Sequence, residues 1–162
     1  MKEVITQEEA FQIKKRLFEN PLPEERPAPL LKAKVKAWLE GRGLSVGDKG
    51  DYLLFQLDFS FIAIFSYVIP LPSRTVSCLS MQAYIMGKFA AEFLDDRDLA
   101  ELNRRILVGG VVRGEERHLL LVHNVMAEGM TKETFNKALD LFGEGIESVD
   151  RQVARLMALQ KG

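Results

Sequence analysis

The sequence predicts an α+β fold: an antiparallel sheet of about five strands with helices packed on it. Apolar segments rich in aromatic and β-branched residues occur in two groups, at residues 52–86 and 107–126, as is typical of strands joined in hairpins. Amphipathic helical segments lie before, between and after these groups, whereas a parallel sheet would alternate strand and helix throughout. The expected order is helix, three strands, helix, two strands and helix, plus an extra N-terminal helix.

Residues 1–27 are predicted to form that N-terminal helix and a proline-rich linker. Thr6 and Glu9 have the spacing of a capping box, which opens a helix over about residues 7–18. The apolar side chains of this helix are Ala10, Phe11, Ile13, Leu17 and Phe18. Residues 19–29 hold four of the six prolines, a density that favours extended structure and sets the helix apart from the rest of the chain.

Residues 28–162 are expected to form a single α+β domain. A helix over about residues 28–40 is followed by strands at Tyr52–Leu57, Phe61–Ile69 and Arg74–Met86. The second of these strands is apolar on both faces, so we expect it at the centre of the sheet. Serine and glutamine side chains dilute the third, which favours an edge or a partly solvated face.

The second half of the domain begins with a short helix, which Asp95 and Asp96 can cap. Two apolar runs come next, and Gly114-Glu115-Glu116 separates them, as is typical of a β-hairpin. Gly109 and Gly110 in the first run indicate a bulge or a close approach between backbones.

The last helix carries a seam of apolar residues at alternating steps of four and three: Phe135, Leu139, Phe142, Ile146, Val149, Val153 and Leu156. This spacing places all seven on one stripe of a helix. Gly143 and Gly145 lie inside the seam, and each costs roughly 1 kcal/mol relative to Ala. The register continues across them, so we expect one long helix, capped by Thr131, that covers one face of the sheet. The glycines would let it approach the sheet closely or bend over it.

Composition and charge exclude several classes of protein. The net charge is −1, and no basic cluster indicates a nucleic-acid partner or an anionic membrane. The single cysteine, Cys78, excludes an intrachain disulfide and a thiolate metal cluster, and we expect a buried, inert thiol in a reducing, cytoplasmic compartment. The N-terminus lacks the apolar core of a signal peptide, and polar residues interrupt the apolar stretch at residues 52–71, which we interpret as core.

No catalytic, cofactor or metal site is predicted. His118 and His123, the only histidines, fall on opposite faces of one strand and so cannot share a metal. We expect His123 in the core or hydrogen-bonded. The cluster Asp95, Asp96 and Asp98 fits helix capping rather than a calcium loop. The glycine clusters match no phosphate loop, and no Gly-x-Ser-x-Gly nucleophile elbow is present.

The order of the predicted helices and strands in the second half of the domain is similar to that of a known fold. The helix end Ala100-Glu101-Leu102-Asn103 runs into Ile106–Val112, and after a charged turn come the strand Leu119–Val125 and the long helix from Thr131 to about Leu159. With the preceding helix and three strands, this order over about residues 28–160 resembles the type III secretion chaperone-like fold. Within that fold it is most similar to the YbjN family of bacterial proteins.

The resemblance implies a small cytoplasmic homodimer that binds other polypeptides, needs no cofactor and catalyses nothing. In secretion chaperones the middle helix and a nearby strand form the dimer contact. Carried onto this chain, the candidate dimer residues are Leu99, Leu102 and Ile106. An apolar helical stripe packs in the core by default, so the alternative is that these three residues pack on their own sheet.

Two other hypotheses remain. A small-molecule-binding or enzymatic α+β domain would hold its ligand in a pocket between sheet and helices, lined by Trp38, Tyr52, Tyr67, Tyr84 and His123. Alternatively, the tethered N-terminal helix could dock on a neighbouring subunit or mimic a bound client. A thermal-shift screen against metabolites tests the first of these, because a ligand of the native state raises its stability.

Overall fold

The computed structural model describes residues 26–85, 94–106, 108–113 and 118–161. In these ranges, seven strands form one antiparallel sheet and three helices pack on one of its faces, which confirms the predicted α+β class. The elements are β1 (Arg26–Pro27), α1 (Pro29–Gly41), β2 (Gly47–Asp48), β3 (Tyr52–Leu57), β4 (Ser60–Pro70), β5 (Thr75–Ile85), α2 (Asp96–Arg105), β6 (Gly110–Arg113), β7 (Leu119–Met126) and α3 (Lys132–Lys161). The N-terminal helix predicted over residues 7–18 and the hairpin turn at 114–116 lie outside the described residues.

The strands lie in the order β2-β3-β4-β5-β7-β6, and every neighbouring pair is antiparallel. β4 is central, as its two apolar faces predict. The short strand β1 pairs with β4 beyond the end of β3, with Arg26 opposite Val68 and Pro27 opposite Tyr67. Arg26 and Pro27 therefore join the sheet before α1 begins.

The expectation that β5 lies at an edge is wrong, and the alternative of a partly solvated face holds at Tyr84, which is 50% exposed, but not at the polar residues that suggested it. β5 lies between β4 and β7, and its Ser80 and Gln82 are buried. The Gln82 side-chain amide donates a hydrogen bond to the Ser80 hydroxyl at 3.2 Å. Because a buried polar group is tolerated when it is hydrogen-bonded, the polar residues of β5 do not require contact with solvent.

Each helix begins where the sequence supplies a suitable residue. α1 begins with Pro29 at its first position, where a missing N–H costs nothing. α2 begins with a capping box, in which Asp95 accepts from the Asp98 amide and Asp98 accepts from the Asp95 amide. These contacts confirm the predicted capping role, and the hydrogen bond from the Asp98 amide lowers the pKa of Asp95. At α3, the Thr131 hydroxyl accepts from the Thr134 amide.

α3 covers the sheet as the apolar seam predicts. The first six seam residues are buried: Phe135, Leu139, Phe142, Ile146, Val149 and Val153. The seventh, Leu156, is partly buried and packs against the same core. The helix is continuous through both internal glycines. A Cβ at Gly143 would lie 3.3 Å from Leu57, and one at Gly145 would lie 3.3 Å from Val108. The glycines therefore permit the close approach that compensates for their low helix propensity.

Gly109 marks a close backbone contact at the start of β6. Its φ of +75° lies in the left-handed region that glycine adopts readily. A Cβ at this position would also clash with the carbonyl group of Val122 on β7. The predicted close approach is therefore confirmed at Gly109, whereas Gly110 is an ordinary strand residue opposite Val122.

Candidate protein-interaction surface

The three described helices cover only one face of the sheet. The opposite face, here called the second face, carries the alternate residues of each strand, and the described strands place no Asp, Glu, Lys or Arg on it. Its larger side chains are Tyr52, Leu54, Phe61, Phe65, Tyr67, Ile69, Val76, Tyr84, Val112, Leu120, Val122 and Met126. A solvated sheet face is normally polar, so a face of this composition indicates that another surface covers it.

One part of the second face is open to solvent. It is the row Phe61, Tyr84, Leu120 and Val112, here called the exposed zone, and it crosses four strands. Tyr84 pairs with Leu120, and Leu120 pairs with Val112. On β4, Ile62 pairs with Ala83, so the preceding residue, Phe61, lies across from Tyr84. Phe61 is 58% exposed and Tyr84 is 50% exposed. Large aromatic side chains that remain half in water are typical of interface anchors.

A shallow groove of about 180 Å³ runs beside this row. Its lining comes from adjacent strands: Tyr52, Leu54, Phe61, Ala63, Phe65, Gln82, Ala83, Tyr84 and Leu120. Tyr52 and Phe65 contact each other along it, with ring centroids 5.2 Å apart. Gln82 and the tyrosine hydroxyls bring polar atoms to an otherwise apolar surface. Such a groove can accept apolar side chains, and it holds no acid–base pair for a reaction.

Another part of the second face is closed to solvent. It comprises Phe65, Val76, Cys78 and Ser80, here called the buried zone, and each of these residues is at most 8% exposed. Cys78 lies opposite Tyr67, and Tyr67 lies opposite Pro27 of β1. The buried zone therefore lies next to the point where the described chain enters the sheet.

The edge strand β6 is closed by a side chain. The Val111 amide donates to Asn103 Oδ1 at 2.6 Å, and Asn103 Nδ2 donates to the Val111 carbonyl at 3.1 Å. Asn103 of α2 thus satisfies the two outward backbone groups that an added strand would use at this residue. Sequence reasoning missed this role, since no local pattern distinguishes Asn103 from a solvated helix residue.

The candidate dimer residues belong largely to the core of the chain itself. Leu99 and Leu102 are buried in the hydrophobic core, and Ile106 is half-buried against it. This placement agrees with the alternative that the stripe packs on its own sheet. A dimer contact through Leu99 and Leu102 would require both side chains to leave that core.

The five residues considered for a ligand pocket do not lie together. Tyr52, Tyr67 and Tyr84 are on the second face, whereas Trp38 and His123 are on the face covered by helices. Trp38 packs against Phe135 of α3 at a ring-centroid distance of 5.4 Å.

His123 lies between the sheet and α3. It stacks on Phe142 with ring centroids 6.4 Å apart, and burial lowers the pKa of His123 below its usual value. His123 is therefore half-buried at the margin of the core, where the sequence predicted a core or hydrogen-bonded histidine. A neutral imidazole packed on a phenyl ring contributes to the core and is not placed to act on a ligand in the second-face groove.

A separate groove of about 440 Å³ lies between α2 and α3. Its rim carries Arg105, Arg151 and Arg155, and Arg105 forms an ion pair with Glu101 at 3.0 Å. Ser148 in its lining contacts Gln152 rather than a general base. These solvated side chains can attract anions, but they form no catalytic constellation.

The described ranges contain neither a metal cluster nor a membrane-spanning helix. Among the described residues, no three His, Cys, Asp or Glu side chains lie close enough together to hold a metal ion. No helix in those ranges combines the length and the apolar composition needed to cross a membrane.

Comparisons with known proteins add one structural similarity. No family model matches the sequence, and no curated protein matches it. Among solved structures, the chain is similar to the crystal structure of YbjN from E. coli, described as a candidate transcription regulator. The two are 14% identical with a TM-score of 0.41, over 77% of this chain and 87% of YbjN. Similarity at this level does not establish a family, so the resemblance to the YbjN family remains a prediction.

Proposed function

We propose that the chain is a cytoplasmic, non-enzymatic protein-interaction module, chaperone-like or regulatory, that binds other polypeptides as a homodimer. The observation that carries this proposal is the exposed zone, which lies on a sheet face where the described strands place no Asp, Glu, Lys or Arg. Phe61 and Tyr84 would be the main anchors, because burying a half-exposed aromatic side chain contributes most of the free energy at such interfaces.

The chemistry of this surface favours a polypeptide over other ligands. Nucleic acids require Lys and Arg at the phosphates, and the described strands place neither on the second face. Small-molecule pockets usually enclose about 300–1,000 Å³. The second-face groove is smaller and open, so it suits a few side chains of a longer partner.

The partner would dock through side chains rather than as an added strand. Asn103 already occupies the outward hydrogen-bonding groups of Val111 on the edge strand β6. The exposed zone, in contrast, offers apolar side chains from four adjacent strands. We therefore expect the partner to present an apolar stripe, such as one face of an amphipathic helix.

The homodimer is a separate part of the proposal. Since Leu99 and Leu102 are buried within the chain, we do not expect these two residues to provide the contact. A stable dimer usually buries about 800 Å² on each partner. Static light scattering at micromolar concentration tests this part, and a monomer at every concentration would remove it.

Site-specific photo-cross-linking tests the interaction surface in cells that naturally express the chain. Benzoylphenylalanine would replace Phe61 in one variant and Phe59 in a matched control. Phe59 is 99% exposed in the turn between β3 and β4, off the exposed zone. We expect cross-links to another polypeptide from position 61 and few from position 59. Equal cross-linking at both positions, or none at 61, would contradict the proposal.

A further inference from the structure

The groove between α2 and α3 lies in the layer of helices, and none of the residues that line it belongs to a strand. Its volume of about 440 Å³ is more than twice that of the groove on the second face. The lining on α3 runs from Ser148 to Leu159, which is about 17 Å, or about three turns, along the helix axis. The groove is therefore long enough to hold several residues of another polypeptide.

The rim of this groove carries more positive than negative charge. Three arginines line it, Arg105, Arg151 and Arg155, together with one glutamate, Glu101. Glu101 forms ion pairs with both Arg105 and Arg104 of α2, at 3.0 Å and 3.4 Å. Within the described ranges, no carboxylate forms an ion pair with Arg151 or Arg155. The groove is thus cationic in a chain whose net charge is −1.

The C-terminus of α3 does not account for these arginines. Basic residues in the last turn of a helix complement its partial negative charge, and the effect falls off beyond that turn. Because α3 ends at Lys161, Arg155 lies six residues before its end and Arg151 lies ten. The two guanidinium groups are therefore placed for a partner that carries negative charge.

The floor and one end of the groove are apolar. Leu102 lines the groove and is 1% exposed, so it belongs to the floor. Leu156 packs against the core, and Leu159, three residues later on the same side of α3, is 77% exposed. A ligand that is only an anion would leave these apolar side chains uncovered.

One polar atom of the lining has no hydrogen-bond partner. The Gln152 amide nitrogen donates to the Ser148 hydroxyl at 3.4 Å, whereas the Gln152 Oε1 is buried without a donor. A serine hydroxyl can donate or accept, so either orientation of the amide leaves one of its polar atoms unpaired. A bound main chain carries both donors and acceptors and can satisfy that atom.

These features favour an acidic polypeptide segment over two other anionic partners. A nucleic acid would bring its phosphates to the Glu101 carboxylate and would not use the apolar floor. An anionic bilayer presents a broad surface, which a protruding apolar helix can enter but which does not fit into a groove between two helices. A segment with both carboxylate and apolar side chains matches all of the lining.

We propose that the α2–α3 groove binds an acidic, amphipathic segment of a partner polypeptide, which packs on α2 and α3 as an additional helix. Its apolar side chains would contact Leu102, Leu156 and Leu159. Carboxylates four residues apart would pair with Arg151 and Arg155, which are one helical turn apart. The groove and the exposed zone share no residue, so this inference does not depend on the proposed function.

Fluorescence anisotropy with a designed peptide tests the proposal on the full-length protein. The labelled peptide is two copies of Leu-Glu-Glu-Leu-Ala-Glu-Ala, which as a helix places its leucines on one stripe with glutamates on either side. Two control peptides carry Gln in place of every Glu, or Ser in place of every Leu. We expect the first peptide to bind more weakly as salt is added, and each control peptide to bind at least about tenfold more weakly than the first.

Two double variants with the same change in net charge make the test specific. Arg151→Glu with Arg155→Glu reverses the charge of the groove, whereas Lys34→Glu with Lys137→Glu changes exposed lysines outside it. We expect the first variant to bind the acidic peptide at least about tenfold more weakly than the wild type, and the second to bind it within about twofold. If the first variant fails to fold, the milder changes Arg151→Gln with Arg155→Gln, and Leu159→Ser alone, should still weaken binding.

Four results would overturn the inference. The first is no binding of the acidic peptide by the wild type, and the second is equal binding of the Gln peptide. The third is an equal loss of affinity in both double variants, which would mean that net charge and not the groove attracts the peptide. The fourth is displacement of the peptide by phosphatidylglycerol vesicles that bind the wild type, which would identify a membrane as the ligand.

Phe61→Ala separates this inference from the proposed function. The change removes an anchor of the exposed zone and leaves the α2–α3 groove intact. We therefore expect Phe61→Ala to bind the acidic peptide as the wild type does, whether or not the exposed zone binds a partner of its own. Loss of peptide binding in Phe61→Ala would place the peptide on the second face and contradict a site between the helices.

Discussion

Asn103 closes the outer edge of the sheet at Val111. Its side-chain amide accepts from the Val111 N–H at 2.6 Å and donates to the Val111 carbonyl at 3.1 Å. One asparagine on α2 thus takes the place of a neighbouring strand at β6. The contact ties α2 to the sheet and removes a template for edge-to-edge association.

Replacing Asn103 with leucine should destabilise the protein and promote association. The change leaves two part-buried backbone groups without partners, so we expect the free energy of unfolding to fall by about 1–3 kcal/mol. Urea denaturation measures this loss, and light scattering measures association through the opened edge. Asn103→Asp keeps the acceptor but not the donor, so its effect should be smaller. Unchanged stability of Asn103→Leu would contradict the assigned role.

Gly109 and Gly129 provide a matched pair for testing the close approach of β6 to β7. Both have positive φ, at +75° and +72°, but only at Gly109 would a Cβ meet the backbone of Val122. Alanine at Gly129 should cost about 1–2 kcal/mol of unfolding free energy from backbone strain alone. Alanine at Gly109 should cost clearly more in the same denaturation experiment. Equal losses would mean that the clash is relieved by a small shift.

Leu102→Ala distinguishes a core role from a dimer role. Because Leu102 is 1% exposed, its truncation should lower the free energy of unfolding by about 2–5 kcal/mol. The exposed neighbour Arg104 provides the control, since Arg104→Ala should change stability little. Thermal or urea unfolding measures both variants. A Leu102→Ala protein that keeps full stability but changes its oligomeric state would restore the dimer assignment.

His123 should make stability depend on pH. Burial lowers the pKa of His123, so the unfolded chain binds a proton at a higher pH than the folded chain does. Its contribution to stability is therefore complete above the unfolded pKa of about 6.5 and declines as the pH falls toward the lower folded value. His123→Phe should flatten the pH dependence of unfolding below pH 6.5. The control His118→Gln should keep the pH dependence of unfolding, because His123 remains. If His123→Phe unfolds with the same pH dependence as the wild type, His123 is not its source.

Elements with a strong local pattern could be predicted from the sequence. The seam of α3 follows the helical period over seven residues, and Asp95 with Asp98 forms a cap from residues three apart. The two apolar faces of β4 likewise indicated a central strand. In each case the signal lies within one element, so no tertiary information is needed.

Features that depend on strand order could not be predicted in this way. Ser80 and Gln82 indicate a solvated strand until β4 and β7 are known to flank β5. Asn103 becomes an edge cap only because α2 packs beside β6. Likewise, the sequence of β4 indicates two apolar faces, but it does not indicate that Phe61 is exposed to solvent while Phe65 is buried.

The most direct test of the interaction surface compares two single phenylalanine variants. Phe61→Ala removes an anchor of the exposed zone, and Phe59→Ala removes an even more exposed phenylalanine from the adjacent turn. Calorimetry would measure binding of a permanently unfolded polypeptide, such as reduced and carboxymethylated α-lactalbumin. We expect the wild type and Phe59→Ala to bind alike and Phe61→Ala to bind at least about tenfold more weakly, the loss typical of an interface anchor. Equal affinity of the two variants, or no binding by the wild type, would contradict a role in binding polypeptides through this face.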